Sequence, residues 1–259
     1  MQKYNLFSTF AAKKKFIMKK TNVYFILFLL CALVSCRDDA VRILILTGQN
    51  NHNWRETTPL IQEILNRNGI FKTDVTEKPD TLNAQMLKSY DVIVSNWNSY
   101  PEQATQWNPA AIQALFDFVK RGGGFVCIHS ASFAHYDCPP FFEITGGRWG
   151  DSTHHGPISE FRVQITHKTH PITKGVQDFT IKDELWVDLE CSPSAKVLCV
   201  AQADEYRNTP GKLEPVVLIT EYGKGRGYYL ALGHDVAVMA HPDWQKLLMQ
   251  GTKWAAKKK

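Results

Sequence analysis

The sequence predicts an α/β protein with a doubly wound, mostly parallel sheet and an antiparallel β extension. Residues 41–46, 91–96 and 125–128 are short apolar runs typical of strands buried on both faces. Segments with apolar residues at helical spacing follow the first two runs, and this alternation indicates a parallel sheet. The second half has short strand-like runs with few helices between them, which indicates the antiparallel part.

The helices of the first half have readable start and stop signals. The first is predicted to begin at Thr58 and Pro59, an N-cap followed by a proline, and to end at Gly69. The next begins at Asn108 and Pro109 and ends in the glycine-rich residues 121–124. The strand at 125–128 then leads directly into residues 129–131.

The second half completes a single predicted domain of residues 41–256. Strand-like runs occupy residues 161–165, 180–189 and 197–201. Residues 215–220 and 227–232 are predicted strands joined by a hairpin turn at 221–225, and the last helix lies near residues 244–254. No internal repeat or low-complexity linker divides the chain.

The first 35 residues are typical of a lipoprotein leader. A basic stretch begins at Met18, and residues 23–34 form an apolar run of 12 residues, whereas a membrane-spanning helix needs roughly 20. Residues 33–36 have the pattern that precedes a lipidated cysteine. We therefore expect residues 1–17 to be an upstream segment before the true start, 18–35 a signal peptide, Cys36 the lipidation site and 36–40 a short tether.

The leader also accounts for the basic charge of the chain. Residues 1–35 contain six lysines and no acidic residue, so the mature chain has 30 − 6 = 24 basic and 25 acidic residues, a net charge of −1. This balance argues against a nucleic-acid-binding protein. Asp38 and Asp39 after the lipidated cysteine resemble an export tag for the outer membrane. We expect a lipid-anchored protein on the periplasmic or the outer face of that membrane.

The cysteines outside the leader exclude a zinc finger. Cys127, Cys138, Cys191 and Cys199 have no CxxC spacing. Export permits disulfides, but Cys127 and Cys199 fall within apolar strands, which favours buried thiols.

Histidines follow three of the predicted strands. His52 comes after the first strand, beside Asn50 and Trp54, and His129 and His234 come after two others, the latter followed by Asp235. In open α/β sheets, ligands bind beyond the carboxyl ends of the strands, so these imidazoles are expected to meet at one rim.

Two kinds of chemistry are open to these histidines. In one, His129, His155 and His234, with Asp235, bind a divalent metal ion. In the other, His129 or His234 acts as a general base without a metal. No HExxH motif distinguishes them. His135, His167 and His170 are interpreted as structural.

Aromatic and acidic residues beside the histidines favour a sugar ligand. Asp183 and Glu184 stand close to Trp186, and such carboxylates can accept hydrogen bonds from sugar hydroxyls while aromatic rings stack on the pyranose. A polar strand edge is the alternative interpretation of this segment. The tryptophans considered for stacking are Trp54, Trp97, Trp149 and Trp186.

An ordered set of motifs resembles the ThuA-like, or trehalose-utilisation, family. The motifs are GGGFVCIHSA at 122–131, GGR at 146–148 leading to His155, HPI at 170–172, DEL at 183–185, and EYGKGR at 221–226 through LGHD at 232–235. The resemblance runs from about residue 41 to 256. It implies a flavodoxin-like, class I glutamine-amidotransferase-like fold with His129 near the nucleophile elbow. No cysteine stands at that elbow, because Cys127 lies inside the strand, so glutamine hydrolysis is not expected.

The resemblance also implies a substrate class. Family members are similar to proteins associated with trehalose and other disaccharides, which suggests a glycoside or its 3-keto derivative undergoing elimination, isomerisation or hydrolysis. The expected catalytic residues are His129, His234 and Asp235. The expected substrate-binding residues are His52, Trp54, Asp183, Glu184 and Arg226.

Two other functions remain open from the sequence. A surface lipoprotein could bind glycans with the same aromatic and polar groups and perform no reaction. A degenerate amidotransferase-like partner protein would expose an apolar patch and have neither activity. A homodimer is compatible with any of these functions.

Overall fold

The computed structural model of the protein describes residues 40–102, 107–202 and 211–257. The strands in these residues are β1 Val41–Leu46, β2 Phe71–Thr76, β3 Val92–Ser95, β4 Gly124–Ile128, β5 Gly147–Arg148, β6 His154–His155, β7 Ser159–Ile165, β8 Phe179–Asp183, β9 Trp186–Val187, β10 Glu190–Cys191, β11 Lys196–Gln202, β12 Leu213–Tyr222 and β13 Gly225–Leu230. The α-helices are α1 Trp54–Asn66, α2 Ala84–Leu87, α3 Pro109–Lys120, α4 Pro139–Thr145, α5 Val236–Met239 and α6 Pro242–Ala255. Short 3₁₀ helices occupy Pro79–Thr81 and His129–Phe133.

The main sheet has nine strands in the order β2-β1-β3-β4-β13-β12-β11-β7-β8. The first five strands are parallel to one another. The strands from β12 to β8 pair antiparallel. The predicted parallel core with an antiparallel extension is confirmed, and the extension contributes four of the nine strands.

Hydrophobic side chains fill both faces of the sheet. In β1, Ile43 and Ile45 point to a cluster that includes the apolar residues of α1 and α6. Leu44 and Leu46 point to a second cluster that includes the apolar residues of α3 and α4. Successive residues of a strand face opposite sides, so an all-apolar strand is the sequence of one covered on both faces.

The first helix begins five residues earlier than predicted. Thr58 does not act as an N-cap, because α1 starts at Trp54 and Asn53 is its N-cap residue. Thr58 lies inside the helix, where its hydroxyl is 2.7 Å from that of Thr47 and accepts a hydrogen bond from Asn96. The polar partners of Thr58 are therefore on the sheet, a relation that local spacing does not indicate.

Two other differences concern strands. β2 was not predicted, because its FKTDVT sequence belongs to a partly exposed edge strand with few apolar residues. The run predicted at 180–189 breaks after Asp183, and β9 pairs with β6 in a separate small sheet. The break places Glu184 between two strands.

The leader, Cys36 and the first four residues of the tether lie outside the described residues. None of the described helices is both long enough and apolar enough to cross a membrane. Cys127 and Cys199 are buried thiols, as predicted.

Candidate functional site

Four chain segments meet beyond the carboxyl ends of β1, β4, β8 and β13. They bring His52, His129, Glu184 and His234 together, and one ligand atom from each residue lies within 4.8 Å of the others. The prediction that strand-end histidines share one rim is confirmed for His52, His129 and His234.

His129 stands at a sharp turn between β4 and a 3₁₀ helix. Its φ of 44° lies in the left-handed region that residues other than glycine seldom adopt. A strained strand-to-helix turn is also the geometry of a nucleophile elbow, which presents one side chain above the sheet. The turn here presents an imidazole, and that side chain is buried.

Glu184 lies at the centre of the histidines. Its Oε2 is 3.4 Å from His129 Nε2 and 4.0 Å from His52 Nε2. Its Oε1 is 3.5 Å from His234 Nδ1 and 3.3 Å from His155 Nδ1. The indole of Trp186 donates a hydrogen bond of 3.0 Å to Oε2 and helps to fix the carboxylate.

Hydrogen bonds on the far side of two rings decide which nitrogen faces this centre. His129 Nδ1 is 2.7 Å from the carbonyl of Ala231, and His52 Nδ1 is 3.2 Å from Asn50 Oδ1. Because both partners are acceptors, each Nδ1 donates to its partner, and each Nε2 is left directed at Glu184.

Two of the inward nitrogens lack a hydrogen bond. His129 Nε2 and His234 Nδ1 are buried and have no partner of acceptable geometry among the described residues, although Glu184 oxygens are 3.4 and 3.5 Å away. Buried polar atoms without partners are rare and require an explanation, of which an ion is one.

Burial and the neighbouring charges shift the pKa values of three groups in the site, Glu184, His52 and His234. Burial alone would raise the pKa of Glu184, but interactions with His129 and His234 outweigh burial and lower it below the usual range. Burial and the neighbouring His129 and His234 lower the pKa of His52 to about 3. The carboxylate of Glu184 raises the pKa of His234.

Asp183 supports the site by accepting hydrogen bonds from its backbone. Its carboxylate accepts hydrogen bonds from the backbone N–H groups of Gly233 at 2.8 Å, His234 at 3.2 Å and Glu184 at 2.7 Å. The side chain is fully buried. It therefore joins the two segments that carry Glu184 and His234, and it does not face the cleft as predicted for a substrate-binding residue.

Asn50 supports the site from the side. Its Oδ1 accepts hydrogen bonds from the His52 backbone, the Asn98 amide and the Ser130 hydroxyl, in addition to the contact with His52 Nδ1. Its Nδ2 donates to the carbonyl of Asn96. This network holds the loop after β1 against the ends of β3 and β4.

A cleft of about 180 Å³ opens above Glu184. Aromatic rings line it in two contacting pairs, Tyr100 with Phe133 at 5.5 Å and Trp149 with Trp186 at 4.9 Å between centroids. The polar lining residues are Asn51, His52, Ser130, His155 and Glu184. Trp149 and Trp186 were expected in a sugar site, whereas Tyr100 and Phe133 were not. Trp97 is instead buried against Trp107.

The predicted metal ligands are corrected in two positions, because neither His155 nor Asp235 belongs to the cluster. His155 contacts Glu184 but lies outside the four-residue cluster, and its side chain is 44% exposed at the mouth of the cleft. His52 and Glu184, predicted to bind substrate, take places in the cluster. Neither belongs to a metal-binding spacing motif: His52 follows a predicted strand, and Glu184 belongs to the DEL segment at 183–185.

Three other predicted site residues lie elsewhere. Asp235 is the N-cap of α5, where its carboxylate accepts the N–H of Val238 at 3.0 Å. Trp54 lines a different groove, with its ring under the guanidinium of Arg55. Arg226 lies at the amino end of β13, opposite the cleft, because its register partner on β4 is Gly124.

Cys127 is not available as a nucleophile. It is fully buried in β4, and burial raises the pKa of its thiol well above the usual value. The thiolate that glutamine hydrolysis requires is therefore not formed there.

The mixed sheet and its histidine-bearing turn define an α/β protein with a glutamine-amidotransferase-like fold. The chain belongs to the ThuA family, described as trehalose utilisation, whose model matches residues 42–255. No curated protein matches the chain.

Solved structures agree with this assignment. A ThuA-like protein from Parabacteroides merdae is 26% identical with a TM-score of 0.74, covering 85% of this chain and 91% of that one. A ThuA-like protein from Bacteroides uniformis is 20% identical with a TM-score of 0.67, covering 83% and 91%. A β-galactosidase from Bacillus circulans sp. alkalophilus shares the fold at 17% identity and a TM-score of 0.57, covering 88% of this chain and 33% of that one.

Proposed function

We propose that this protein is a metal-dependent enzyme that acts on a glycoside or its 3-keto derivative by elimination, isomerisation or hydrolysis. The observation that carries the proposal is the pair of buried nitrogens, His129 Nε2 and His234 Nδ1, that face Glu184 without a hydrogen bond. Buried ligand atoms that converge within 4.8 Å of one another, two of them without a hydrogen-bond partner, are an arrangement that a cation would complete.

The donor set fits a divalent transition metal. Three imidazoles and one carboxylate suit zinc, nickel or manganese better than calcium, which prefers oxygen ligands. When bound, such an ion polarises a carbonyl or hydroxyl oxygen of the sugar. His52, His129, Glu184 and His234 would hold it, and Ala231, Asn50 and Trp186 would orient three of these ligands.

The cleft fits a sugar ring. Aromatic faces can stack on a pyranose, while Asn51 and Ser130 offer hydrogen bonds to its hydroxyls. In a 3-keto sugar the C-2 proton is acidic, so its removal can drive loss of the substituent oxygen at C-1, which takes up a proton as it leaves. The family description, trehalose utilisation, supports the same substrate class.

Metal and substrate are tested together. The protein is stripped with a chelator, reloaded separately with Zn²⁺, Mn²⁺ or Ni²⁺, and incubated with trehalose, 3-keto-trehalose and related glycosides while products are followed by NMR. We expect turnover only after reloading, and a loss of more than about 100-fold in Glu184→Gln and His129→Ala. His167→Ala, outside the cluster, is the matched control and should keep full activity.

The possible results separate the functions. Full activity of the metal-free protein would overturn the metal requirement and favour His129 or His234 as a general base. Calorimetric binding of glycans that survives His129→Ala, with no product under any condition, would identify a glycan-binding lipoprotein instead.

A further inference from the structure

A basic groove lies at the end of the molecule opposite the cleft. Lys174, Arg226, Lys253 and Lys257 line it together with Trp254, and its lining contains no acidic residue among the residues that the structure describes. Its volume is about 640 Å³, larger than that of the cleft above Glu184.

The positive charge of this groove is not neutralised within the described residues. None of its four cationic side chains forms an ion pair there with an acidic residue. Arg226 instead donates to the carbonyl of Trp254 at 2.9 Å and lies 4.7 Å above its ring. Like charges gathered without counterions repel one another, so an anion would stabilise the arrangement.

The pKa of His170, which lies beside the groove, is lowered in part by the same positive charge. Its ring centroid is 5.6 Å from that of Trp254. Burial lowers the pKa of His170, and Lys196, His167 and Arg226 lower it further.

The strand register places the groove at the end where the chain enters the domain. Arg226 is paired with Gly124, Gly124 with Val92, and Val92 with Ile43. Adjacent strands are about 4.8 Å apart, so Arg226 and Ile43 lie roughly 14 Å apart across the sheet. Val41, where β1 begins, is therefore at the same end as the groove.

The predicted lipid anchor would hold this end of the domain close to a membrane. Val41 is the fifth residue after Cys36, and an extended chain advances at most about 3.6 Å per residue, so an anchor at Cys36 keeps Val41 within about 18 Å of the membrane. A tether of this length allows the groove to face the lipid headgroups while the cleft faces away from them.

We propose that the groove of Lys174, Arg226, Lys253 and Lys257 docks on the phosphate-bearing headgroups of an anionic membrane surface and orients the domain with its cleft outward. The proposal rests on the anchor predicted at Cys36 and not on the reaction proposed for the cleft. Clusters of Lys and Arg beside a membrane attachment point are attracted to anionic lipids.

The unanchored domain allows a sharp test. Residues 40–259 form one compact unit that contains both hydrophobic clusters, so this unit carries its own core. It has 30 − 6 − 1 = 23 basic and 25 − 2 = 23 acidic residues, a net charge of zero. Attraction to anionic vesicles therefore requires a local basic surface.

The domain is sedimented with phosphatidylcholine vesicles, with and without phosphatidylglycerol. We expect about tenfold or more binding to the anionic vesicles, decreasing as NaCl is added. Combined Lys174→Ala, Lys253→Ala and Lys257→Ala should remove the preference. The control removes the same charge at the cleft end, by Arg55→Ala, Lys78→Ala and Lys182→Ala, and should retain it.

Three results would overturn the proposal. The first is equal binding to both kinds of vesicle. The second is a control variant that loses as much binding to anionic vesicles as the groove variant does. The third is calorimetric binding of inorganic phosphate by a domain that shows no preference for anionic vesicles. Sugar turnover is measured separately and does not depend on any of these outcomes.

Discussion

Among single residues, Asn50 supports the proposed metal site without being one of its four ligands. It holds His52 through both the backbone and the ring, so Asn50→Ala frees the imidazole to rotate. Loss of such a supporting contact typically weakens metal binding 10–100-fold, and we expect a loss of about that size. Calorimetric titration with Zn²⁺ measures it.

The control for Asn50 is Asn66→Ala. Asn66 also makes a side-chain hydrogen bond, to Thr73, but on the exposed surface of α1. Equal affinities of the Asn50→Ala protein and the original one would show that His52 does not need this support.

His135 is expected to make the protein sensitive to acid. It is buried, with ring centroids 4.3 Å from Trp107 and 5.0 Å from Phe141, and burial lowers its pKa to about 3. Because the folded pKa lies below the unfolded value of about 6.5, stability is full above pH 6.5. It falls as pH decreases toward 3, by at most about 1.4 kcal/mol per pH unit.

The measurement compares His135→Asn with the original protein by urea unfolding between pH 7 and 3, roughly the interval of this titration. Asparagine tolerates the positive φ of 51° at this position and cannot be protonated, so its stability should fall less steeply. The packing loss is present at every pH and cancels from the slope. Identical slopes would contradict the prediction.

The sequence predicted the residues of the site better than their roles. His129 and His234 could be predicted because each directly follows an apolar strand. The central position of Glu184 could not be predicted, because the strand ends at Asp183 and only the tertiary fold brings Glu184 beside histidines of other segments. Arg226 was predicted from a family motif, and the motif does not state which end of the strand it occupies.

Among the helices, α6 depends on the absence of a side chain at Gly251. A methyl group there would overlap the ring of Tyr228, which is fully buried and donates a hydrogen bond to the Leu247 carbonyl. Gly251→Ala gains up to about 1 kcal/mol of helix propensity but overpacks the core at a cost of about 1–3 kcal/mol. We expect net destabilisation, measured by chemical unfolding.

A substitution outside the core of the same helix provides the comparison. Lys253→Ala replaces a side chain that lines the basic groove and should change stability by less than about 0.5 kcal/mol. A Gly251→Ala protein as stable as the original would mean that Tyr228 and α6 can separate without loss.

Local signals predicted some element boundaries and missed others. Asn108 and Pro109 start α3 as predicted, because the Asn108 side chain accepts the N–H of Ala110. Thr58 and Pro59 have the same pattern but lie within α1, since the Thr58 hydroxyl is bound to the sheet. A cap pattern therefore gives a helix start only when no tertiary partner competes for its hydroxyl.

For the whole molecule, the predicted anchor at Cys36 decides where the protein resides. In cells that express the full chain, Cys36→Ala should abolish incorporation of labelled palmitate and shift the protein out of the detergent-extracted membrane fraction. Cys138→Ala, in the folded domain, is the control and should leave both unchanged. A Cys36→Ala protein that still carries palmitate would contradict the predicted leader.

The sheet as a whole was predicted from periodicity, whereas its strand order was not. Buried apolar runs separated by helices indicate a parallel sheet, and the hairpin turn at 221–225 correctly predicted that β12 pairs with β13. Neither pattern indicates that β13 inserts beside β4. That insertion brings His234 to His129, with ring centroids 5.8 Å apart. It depends on contacts more than 90 residues apart in sequence, which local patterns do not record.

The carboxylate of Asp183 has a mechanical consequence. Pulling β8 away from the loop after β13 would strip two backbone donors, the N–H groups of Gly233 and His234, of their acceptor, at a cost of about 1–3 kcal/mol for each donor left buried. Glu184 and His234 are therefore expected to move together as one rigid floor, that is, the bottom of the cleft. Sugars of different size would then be accommodated by the aromatic walls above that floor.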